Sequence, residues 1–284
     1  MRRTCRLVLA AVRTQRLGAT GGGAPVRRWA SGLPESSGLT VGFVGLGAMG
    51  SQMAANLAEI GGLQTRVWDM QAAAVADAEV RGCAGMPDAA GAVDGADLIF
   101  TSLPRSADVE ALVESLATAG ALKPGAVWVD TTSGVPDLSQ RIYAKLKADC
   151  SVAFLDCGVA GGPAGARAGT LAAMAGGDAD ALALALPAMN HIMGNIVHVG
   201  PSGAGHAVKS VNNTLLAAHI WVAYEGLITL AKLGVPMEYA IPFSFHSFSL
   251  CFYSILLPCS SNVAQFYSIF LCQDCTGRDQ RCER

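Results

Sequence analysis

The 284-residue chain has few charged residues: Asp, Glu, Lys and Arg make up 15% of it, and the formal net charge is −2. Positive charge is not gathered on any predicted folded element, so no nucleic-acid partner is expected. Aromatic residues are also scarce, at 6%, whereas 51% of residues are hydrophobic and 33 are glycine. This composition suits helices packed closely on a parallel sheet, and the length suffices for one α/β domain and part of a second.

The N-terminal region contains no acidic residue before Glu35, although arginine recurs there. The arginines are Arg2, Arg3, Arg6, Arg13, Arg16, Arg27 and Arg28. This pattern is typical of a mitochondrial presequence, and a solvated basic tail is the alternative. We therefore expect residues 1–37 to be a transit peptide for the mitochondrial matrix. Because the matrix is reducing, the cysteines of the folded region are expected to be free thiols, namely Cys83, Cys150 and Cys157.

The C-terminal region lacks charge altogether between residues 241 and 273, and its apolar residues keep no helical period. We expect residues 241–284 to be an atypical tail that arises from alternative or incorrect splicing. A membrane-associated segment and a small metal site are the alternatives. The metal site would use Cys272, Cys275 and Cys282, but this spacing offers no clear fourth ligand, so no metal is expected.

The chain does contain a glycine-rich turn between a predicted strand and a predicted helix. A short run rich in β-branched residues ends at Gly45, and apolar residues recur at helical spacing after Met49. Within this turn, Gly45 permits a tight bend, Gly47 lets a pyrophosphate approach the backbone, and Gly50 lets the helix pack on the sheet. The cofactor-binding residues predicted from this turn are Gly45, Leu46, Gly47, Ala48, Met49 and Gly50.

Asp69 follows the glycines at the distance typical of dinucleotide-binding motifs, at the end of the predicted second strand. There its carboxylate can accept hydrogen bonds from the adenosine ribose and would repel a 2′-phosphate. No arginine follows it directly, because the next residues are Met70 and Gln71. These residues favour NAD over NADP, and a solvated loop acid is the alternative reading of Asp69.

Strand and helix patterns alternate up to residue 204. Strands are predicted at 97–102, 126–130, 152–156 and 170–175, and helices at 71–81, 107–117 and 137–147. The alternation implies right-handed crossovers and a Rossmann-type, doubly wound, mostly parallel sheet in residues 38–204. Loops at the carboxyl ends of the strands would then face one crevice, and these loops are 45–50, 103–104, 131–133 and 157–162.

From residue 205 the pattern becomes one long apolar helix, which ends near Gly234 and Pro236. We expect residues 205–240 to link the Rossmann domain to an all-α second domain of which only the start is present. Polar residues interrupt the helix at short intervals, so no membrane is expected. Lys209 and Asn213 share one helix face; a partly desolvated lysine suits proton exchange with a hydroxyl, whereas a solvated face is the more common role of such a pair.

Four segments together resemble the β-hydroxyacid dehydrogenase family, which includes 3-hydroxyisobutyrate dehydrogenase-like enzymes. They are residues 42–57, 130–133, 156–169 and 203–213, in the order typical of the family, and the resemblance covers residues 40–239.

The resemblance implies reversible hydride transfer between NAD and a small 3-hydroxy carboxylic acid, as in valine catabolism. Lys209 would be the general acid/base, and Asn213 would bind the substrate and position Lys209. Gly161 and Gly162 would bind the substrate carboxylate through their N–H groups. The remaining contacts would come from Leu103 and Pro104 to the cofactor, and from Ser133 to both cofactor and substrate. Full-length members are expected to form homo-oligomers.

Two departures from the family pattern affect these expectations. Ala160 stands where a serine is usual, which removes one hydrogen bond to the substrate carboxylate, worth about 1.5–3 kcal/mol. Beyond Ala240 we expect no further resemblance, so the helical wall that closes the active site is expected to be absent. An NAD-binding fragment without catalysis is therefore a second expected function, and an NADPH-dependent reductase of a short semialdehyde or glyoxylate-type acid is a third.

Overall fold

The computed structural model describes residues 38–241 as alternating strands and helices. The strands are β1 (Thr40–Val44), β2 (Gln64–Trp68), β3 (Ala84–Gly85), β4 (Leu98–Thr101), β5 (Val127–Asp130), β6 (Ala153–Ala160), β7 (Leu171–Gly176) and β8 (Met193–Gly200). The helices are α1 (Gly50–Glu59), α2 (Ala72–Val80), α3 (Ala89–Val93), α4 (Ser106–Ala119), α5 (Pro136–Lys145), α6 (Gly162–Ala168), α7 (Ala179–Met189) and α8 (Ala204–Lys232). A π-helical turn, Leu146–Cys150, extends α5. The expected transit peptide, and the tail after residue 241, lie outside the described residues.

The strands form one eight-stranded sheet in the order β3-β2-β1-β4-β5-β6-β7-β8. Neighbouring strands from β3 to β6 are parallel, β6 and β7 are antiparallel, and β7 and β8 are parallel again. The strand order reverses at β1, which lies between β2 and β4. This reversal confirms the predicted Rossmann-type, mostly parallel sheet, and it creates the crevice at the carboxyl ends of the strands where such folds bind their ligands.

Both faces of the central strands are buried, because helices cover the sheet on each side. On one face, the rings of Phe43 and Phe100 stack with their centroids 5.9 Å apart. On the opposite face, Ile99, Trp128 and Val109 belong to a second buried cluster. Alternation of side chains along each strand therefore supplies two apolar layers, which accounts for the nearly continuous apolar runs in the sequence.

The segment 157–162 differs from the predicted loop. β6 continues to Ala160 because Cys157–Ala160 pair with β7 in antiparallel register. The glycine-rich stretch that follows forms α6, with a proline in its first turn, where the missing N–H is tolerated. Only Gly161 remains as a connector between β6 and α6. The predicted loop is therefore largely strand and helix.

Asn56 joins α1 to α6. The residue is 2% exposed, and Nδ2 donates hydrogen bonds to the carbonyl oxygens of Ala166 at 2.9 Å and Arg167 at 3.2 Å. These bonds tie the helix that begins at the glycine turn to the helix that begins at Gly162.

We expect Asn56→Ala to lower the free energy of unfolding by about 1–3 kcal/mol, because the buried carbonyl of Ala166 and the part-buried carbonyl of Arg167 lose their amide donor. Urea denaturation followed by tryptophan fluorescence measures the change. Asn190→Ala, at the exposed end of α7, serves as the control and should change stability by no more than about 0.5 kcal/mol. Equal losses in the two variants would contradict the importance of this joint.

α8 has a buried start and an exposed remainder. Gly205 and His206 are buried, whereas apolar side chains further along the helix are largely exposed, for example Trp221 at 70% and Val222 at 64%. Within residues 38–241, α8 is the one helix long and apolar enough to cross a membrane, and none of its most apolar window is buried. Core helices of soluble proteins also meet this criterion. The absence of a membrane therefore stays a prediction.

Candidate active site

A cleft of about 760 Å³ opens where β1, β2 and β4 end. It gathers seven of the predicted cofactor-binding residues, which come from three separate loops: Gly45, Gly47, Ala48, Met49, Asp69, Leu103 and Pro104. Leu46 and Gly50 also belong to the glycine turn, but both are buried and neither lines the cleft. The remaining predicted residues, all within the described region, lie outside the lining of this cleft, namely Ser133, Gly161, Gly162, Lys209 and Asn213.

The glycine turn has the shape expected of a phosphate cradle. Gly45 has φ +98°, and a Cβ on it would lie 2.4 Å from the carbonyl oxygen of Ser102, so no other residue allows β1 and β4 to end this close together. At Gly47 nothing in the described structure lies within 4 Å of the Cβ position. This open space adjoins the start of α1, which has no side-chain cap and no acidic residue in its first turn. No side chain therefore competes with an anion for the N–H groups in the first turn of α1, of which that of Ser51 donates to the carbonyl oxygen of Gly47 at 3.0 Å, and the residues present fit a dinucleotide pyrophosphate.

Asp69 ties the glycine turn to the end of β2. Its Oδ2 accepts a hydrogen bond from the N–H of Leu46 at 2.7 Å, and Oδ1 accepts one from the N–H of Gln71 at 2.8 Å. A carboxylate has about four acceptor positions, so both oxygens retain acceptor capacity for ribose hydroxyls. The same side chain can therefore shape the turn and bind the adenosine ribose.

A buried polar network supports the wall of the cleft that Leu103 forms. The indole Nε1 of Trp128 donates to Thr101 Oγ1 at 3.0 Å, and this hydroxyl donates to Asp130 Oδ1 at 2.9 Å. Asp130 Oδ1 also accepts the N–H of Thr132 at 3.0 Å, and Thr132 Oγ1 accepts the N–H of Leu103 at 3.0 Å. The network holds the loops after β4 and β5 together, and sequence reasoning did not identify it.

The start of α8 is held by the fully buried Asp156 on β6. Its two carboxylate oxygens accept the N–H groups of Gly203 at 2.7 Å and His206 at 2.9 Å. The His206 ring is hydrogen-bonded through Nδ1 to Ser139 Oγ at 2.7 Å, and it lies against Gly134, the residue after Ser133 in the loop that follows β5. Asp156 was predicted only as the end of a strand. Here it acts as a non-local cap for the helix that carries Lys209.

Lys209 lies over the second half of β6. A Cβ on Gly158 would be 2.5 Å from Lys209 Cβ, so the stem of the lysine packs directly on the strand that leads to Gly161. Lys209 is half-buried, and burial lowers its pKa below the usual range. Asn213 follows one turn later on the same helix and is exposed. Gly161 and Gly162 both have positive φ, at 127° and 60°.

The cysteines and metal-ligating residues offer no further catalytic group among residues 38–241. Cys83, Cys150 and Cys157 are free, as predicted. Burial raises the pKa of the Cys157 thiol, which keeps it protonated and argues against a nucleophilic role. No group of His, Cys, Asp and Glu side chains in this part of the chain could hold a metal ion.

Two family models cover most of the described region. Residues 40–200 match the NAD binding domain of 6-phosphogluconate dehydrogenase, and residues 203–252 match the NAD-binding region of NADP-dependent 3-hydroxyisobutyrate dehydrogenase. The second match extends beyond Ala240, the residue after which the sequence resemblance was expected to end.

Individual proteins agree with these matches. An NAD-dependent L-serine dehydrogenase from Pseudomonas aeruginosa is 39% identical over 196 residues, which are 69% of this chain and 64% of that protein. A probable 3-hydroxyisobutyrate dehydrogenase-like 2, mitochondrial, from Arabidopsis thaliana is 32% identical over 72% of this chain and 67% of its own. The structure of Mycobacterium tuberculosis 3-hydroxyisobutyrate dehydrogenase with L-serine has a TM-score of 0.66 at 33% identity, covering 70% of this chain and 67% of that one.

The chain thus spans about two thirds of the length of these relatives, including 64% of the serine dehydrogenase. The first family model alone covers residues 40–200, more than half of the 284 residues. The chain therefore belongs to the β-hydroxyacid dehydrogenase family, and residues 40–200 are its NAD-binding domain.

Proposed function

We propose that this protein binds NAD in the cleft and transfers a hydride between the nicotinamide and a small 3-hydroxy carboxylic acid. The observation that carries the proposal is the open space over Gly47, next to the uncapped start of α1 and beside Asp69. A side chain at position 47 would fill the space that a pyrophosphate needs.

The proton chemistry is assigned to Lys209. When bound, NAD supplies the hydride chemistry. In oxidation of a hydroxyacid, neutral Lys209 accepts the hydroxyl proton, and in the reverse direction its ammonium returns the proton. Burial lowers the lysine pKa and so increases the neutral fraction available for this transfer.

The substrate carboxylate is assigned to the backbone at Gly161 and Gly162, which begin three residues after Gly158, the glycine on which the stem of Lys209 packs. Asn213 would orient the substrate and Lys209 from the next turn of α8, and Ser133 would approach from the loop after β5. Ala160 offers no hydroxyl to the carboxylate. We therefore expect weaker carboxylate binding than a serine at this position would give.

The names of two relatives point to the substrate class. L-Serine and 3-hydroxyisobutyrate, which appear in those names, are both small carboxylic acids with a hydroxyl on the third carbon. The arginine-rich leader, together with the mitochondrial relative from Arabidopsis thaliana, supports a mitochondrial matrix location.

A second candidate function is NAD binding without catalysis. The exposure of Asn213, and of the apolar side chains that follow it on α8, favours this candidate. A catalytic site excludes water from the reacting atoms, and the described residues leave this side of α8 in contact with solvent.

The test uses the full chain. NAD+ and NADP+ are titrated by calorimetry, and L-serine and 3-hydroxyisobutyrate are assayed by NADH absorbance; NADPH oxidation with glyoxylate and a short semialdehyde is assayed in parallel. NAD+ binding with NADH formation supports the dehydrogenase. NAD+ binding without turnover supports the second candidate. NADPH oxidation that is faster than NADH formation supports a reductase. Binding of neither nucleotide contradicts all of these functions.

A further inference from the structure

The cleft is lined by one arginine, Arg105, to which the proposed function assigns no role. Arg105 immediately precedes α4, and Asp108 lies in the first turn of that helix. Arg105 Nη2 donates to Asp108 Oδ1 at 2.8 Å, and Nε donates to Oδ2 at 3.1 Å. Both residues line the cofactor cleft, and Arg105 is the only cation among its described lining residues.

This bidentate pair uses the part of the guanidinium that best fits a phosphate. The Nε–Nη2 edge presents two parallel N–H groups, which suit two oxygens of one carboxylate or one phosphate. The hydrogen bond from Arg105 lowers the pKa of Asp108, so the carboxylate is ionised at neutral pH. The negative charge of Asp108 offsets the positive charge of Arg105. Asp69 adds a further negative charge to the cleft.

We propose that Asp108 strengthens the preference for NAD over NADP by occupying Arg105, which is the one cation among the described lining residues of the cleft and so the candidate partner for a 2′-phosphate. Asp69 acts from the ribose side, where its carboxylate repels the phosphate, and Asp108 acts by neutralising the arginine. This inference rests on the proposed function, because it presumes that the cleft binds a dinucleotide.

The size of the effect follows from the exposure of the pair. The Arg105 side chain is 76% exposed and that of Asp108 is 31% exposed, so solvent weakens their attraction. Removing the carboxylate frees a charged donor for the phosphate and removes one repulsive charge. A gain of about five- to tenfold in relative NADP+ affinity is expected from one such charge-assisted contact at a solvated site.

The experiment compares the ratio of the NADP+ dissociation constant to the NAD+ dissociation constant in the full-length protein. Calorimetry is applied to the wild type, Asp108→Asn, Arg105→Ala and the double variant. Asp108→Asn should lower the ratio by about five- to tenfold, and the double variant should lose this gain because the freed arginine is gone. Arg105→Ala alone should raise the ratio, since it leaves the Asp108 carboxylate unpaired.

A matched control removes the same charge outside the cleft. Glu110 lies on α4 as Asp108 does, but it pairs with Arg141. Glu110→Gln should leave the ratio of the NADP+ and NAD+ dissociation constants unchanged. The gain in Asp108→Asn should also shrink as salt is raised, because exposed charges are screened.

The inference is overturned if the wild type binds NAD+ and Asp108→Asn leaves the ratio within twofold of wild type, or if the double variant keeps the gain. A wild type that binds neither nucleotide overturns the proposed function and this inference together. The NAD+ titration of each variant shows directly that its cleft is folded.

Discussion

Lys209→Ala is expected to lower the turnover of a 3-hydroxy acid by roughly 10²–10⁴-fold, the usual contribution of a general acid or base. The affinity for NAD+ should change little, because Lys209 lies outside the lining of the cofactor cleft. NADH absorbance gives the turnover number, and calorimetry gives the NAD+ dissociation constant. A large loss in the former with the latter preserved would separate proton transfer from cofactor binding.

Two variants control this experiment. Lys232→Ala removes an exposed lysine from the last turn of the same helix and should leave turnover near wild type. Lys209→Arg keeps the positive charge but cannot release a proton near neutrality, so it should be as inactive as alanine. Turnover within tenfold of wild type in Lys209→Ala would refute the assignment of Lys209 as the acid/base.

The pH dependence of turnover gives a further check on Lys209. Oxidation requires the neutral amine, so its rate should rise with pH through the lysine pKa, and reduction should fall over the same interval. Burial places this pKa below the ordinary value of 10.5. The rise of the oxidation rate and the fall of the reduction rate should therefore both have midpoints below pH 10.5 when the rates are measured between neutral and alkaline pH.

Gly205→Ala is expected to cost about 3 kcal/mol of folding free energy, because it overpacks a rigid contact. A Cβ at this position would lie 2.1 Å from the carbonyl oxygen of Asp156 and 2.4 Å from that of Met174. Both obstacles are backbone atoms of the central sheet, so relief requires α8 to move away. Urea denaturation of the full chain measures the loss.

The matched control for Gly205→Ala lies on the same helix. Gly226 is exposed, and within the described structure nothing lies within 4 Å of its Cβ position. Gly226→Ala should therefore stabilise the protein by about 0.5–1 kcal/mol, the difference in helix propensity between the two residues. Equal stability of the two variants would contradict the close packing of α8 against the backbone of β6 and β7.

The parts of the fold that were predicted from the sequence depend on local patterns. The glycine turn is an example, since strand, turn and helix occupy one short segment that ends in α1. The course of β6 beyond residue 156 was not predicted, because it depends on antiparallel pairing with β7, a strand that follows a separate helix. Asp88 shows a local signal that was overlooked: its side chain caps α3 by accepting the N–H of Gly91 at 2.7 Å.

The candidate site likewise contains residues that local sequence predicts and residues that only the folded structure reveals. Asp69 could be predicted because its distance from the glycines is characteristic of dinucleotide-binding domains. The cap that Asp156 provides to α8 joins residues 47 and 50 positions apart, and no spacing rule encodes such a contact. The pair of Arg105 and Asp108 is local in sequence, but its relevance follows only from the cleft that the two residues line.

The exposed apolar side of α8 has a thermodynamic consequence. Unfolding raises the heat capacity mainly because apolar surface becomes hydrated, by about 0.45 cal/K/mol per Å². Trp221 and Val222 are already in contact with water in the described fold, so they contribute little to this increment. The heat capacity increment per residue should therefore lie below the usual value of about 12–15 cal/mol/K, and stability should vary less with temperature. Any association that covers these side chains would produce a negative heat capacity change on binding.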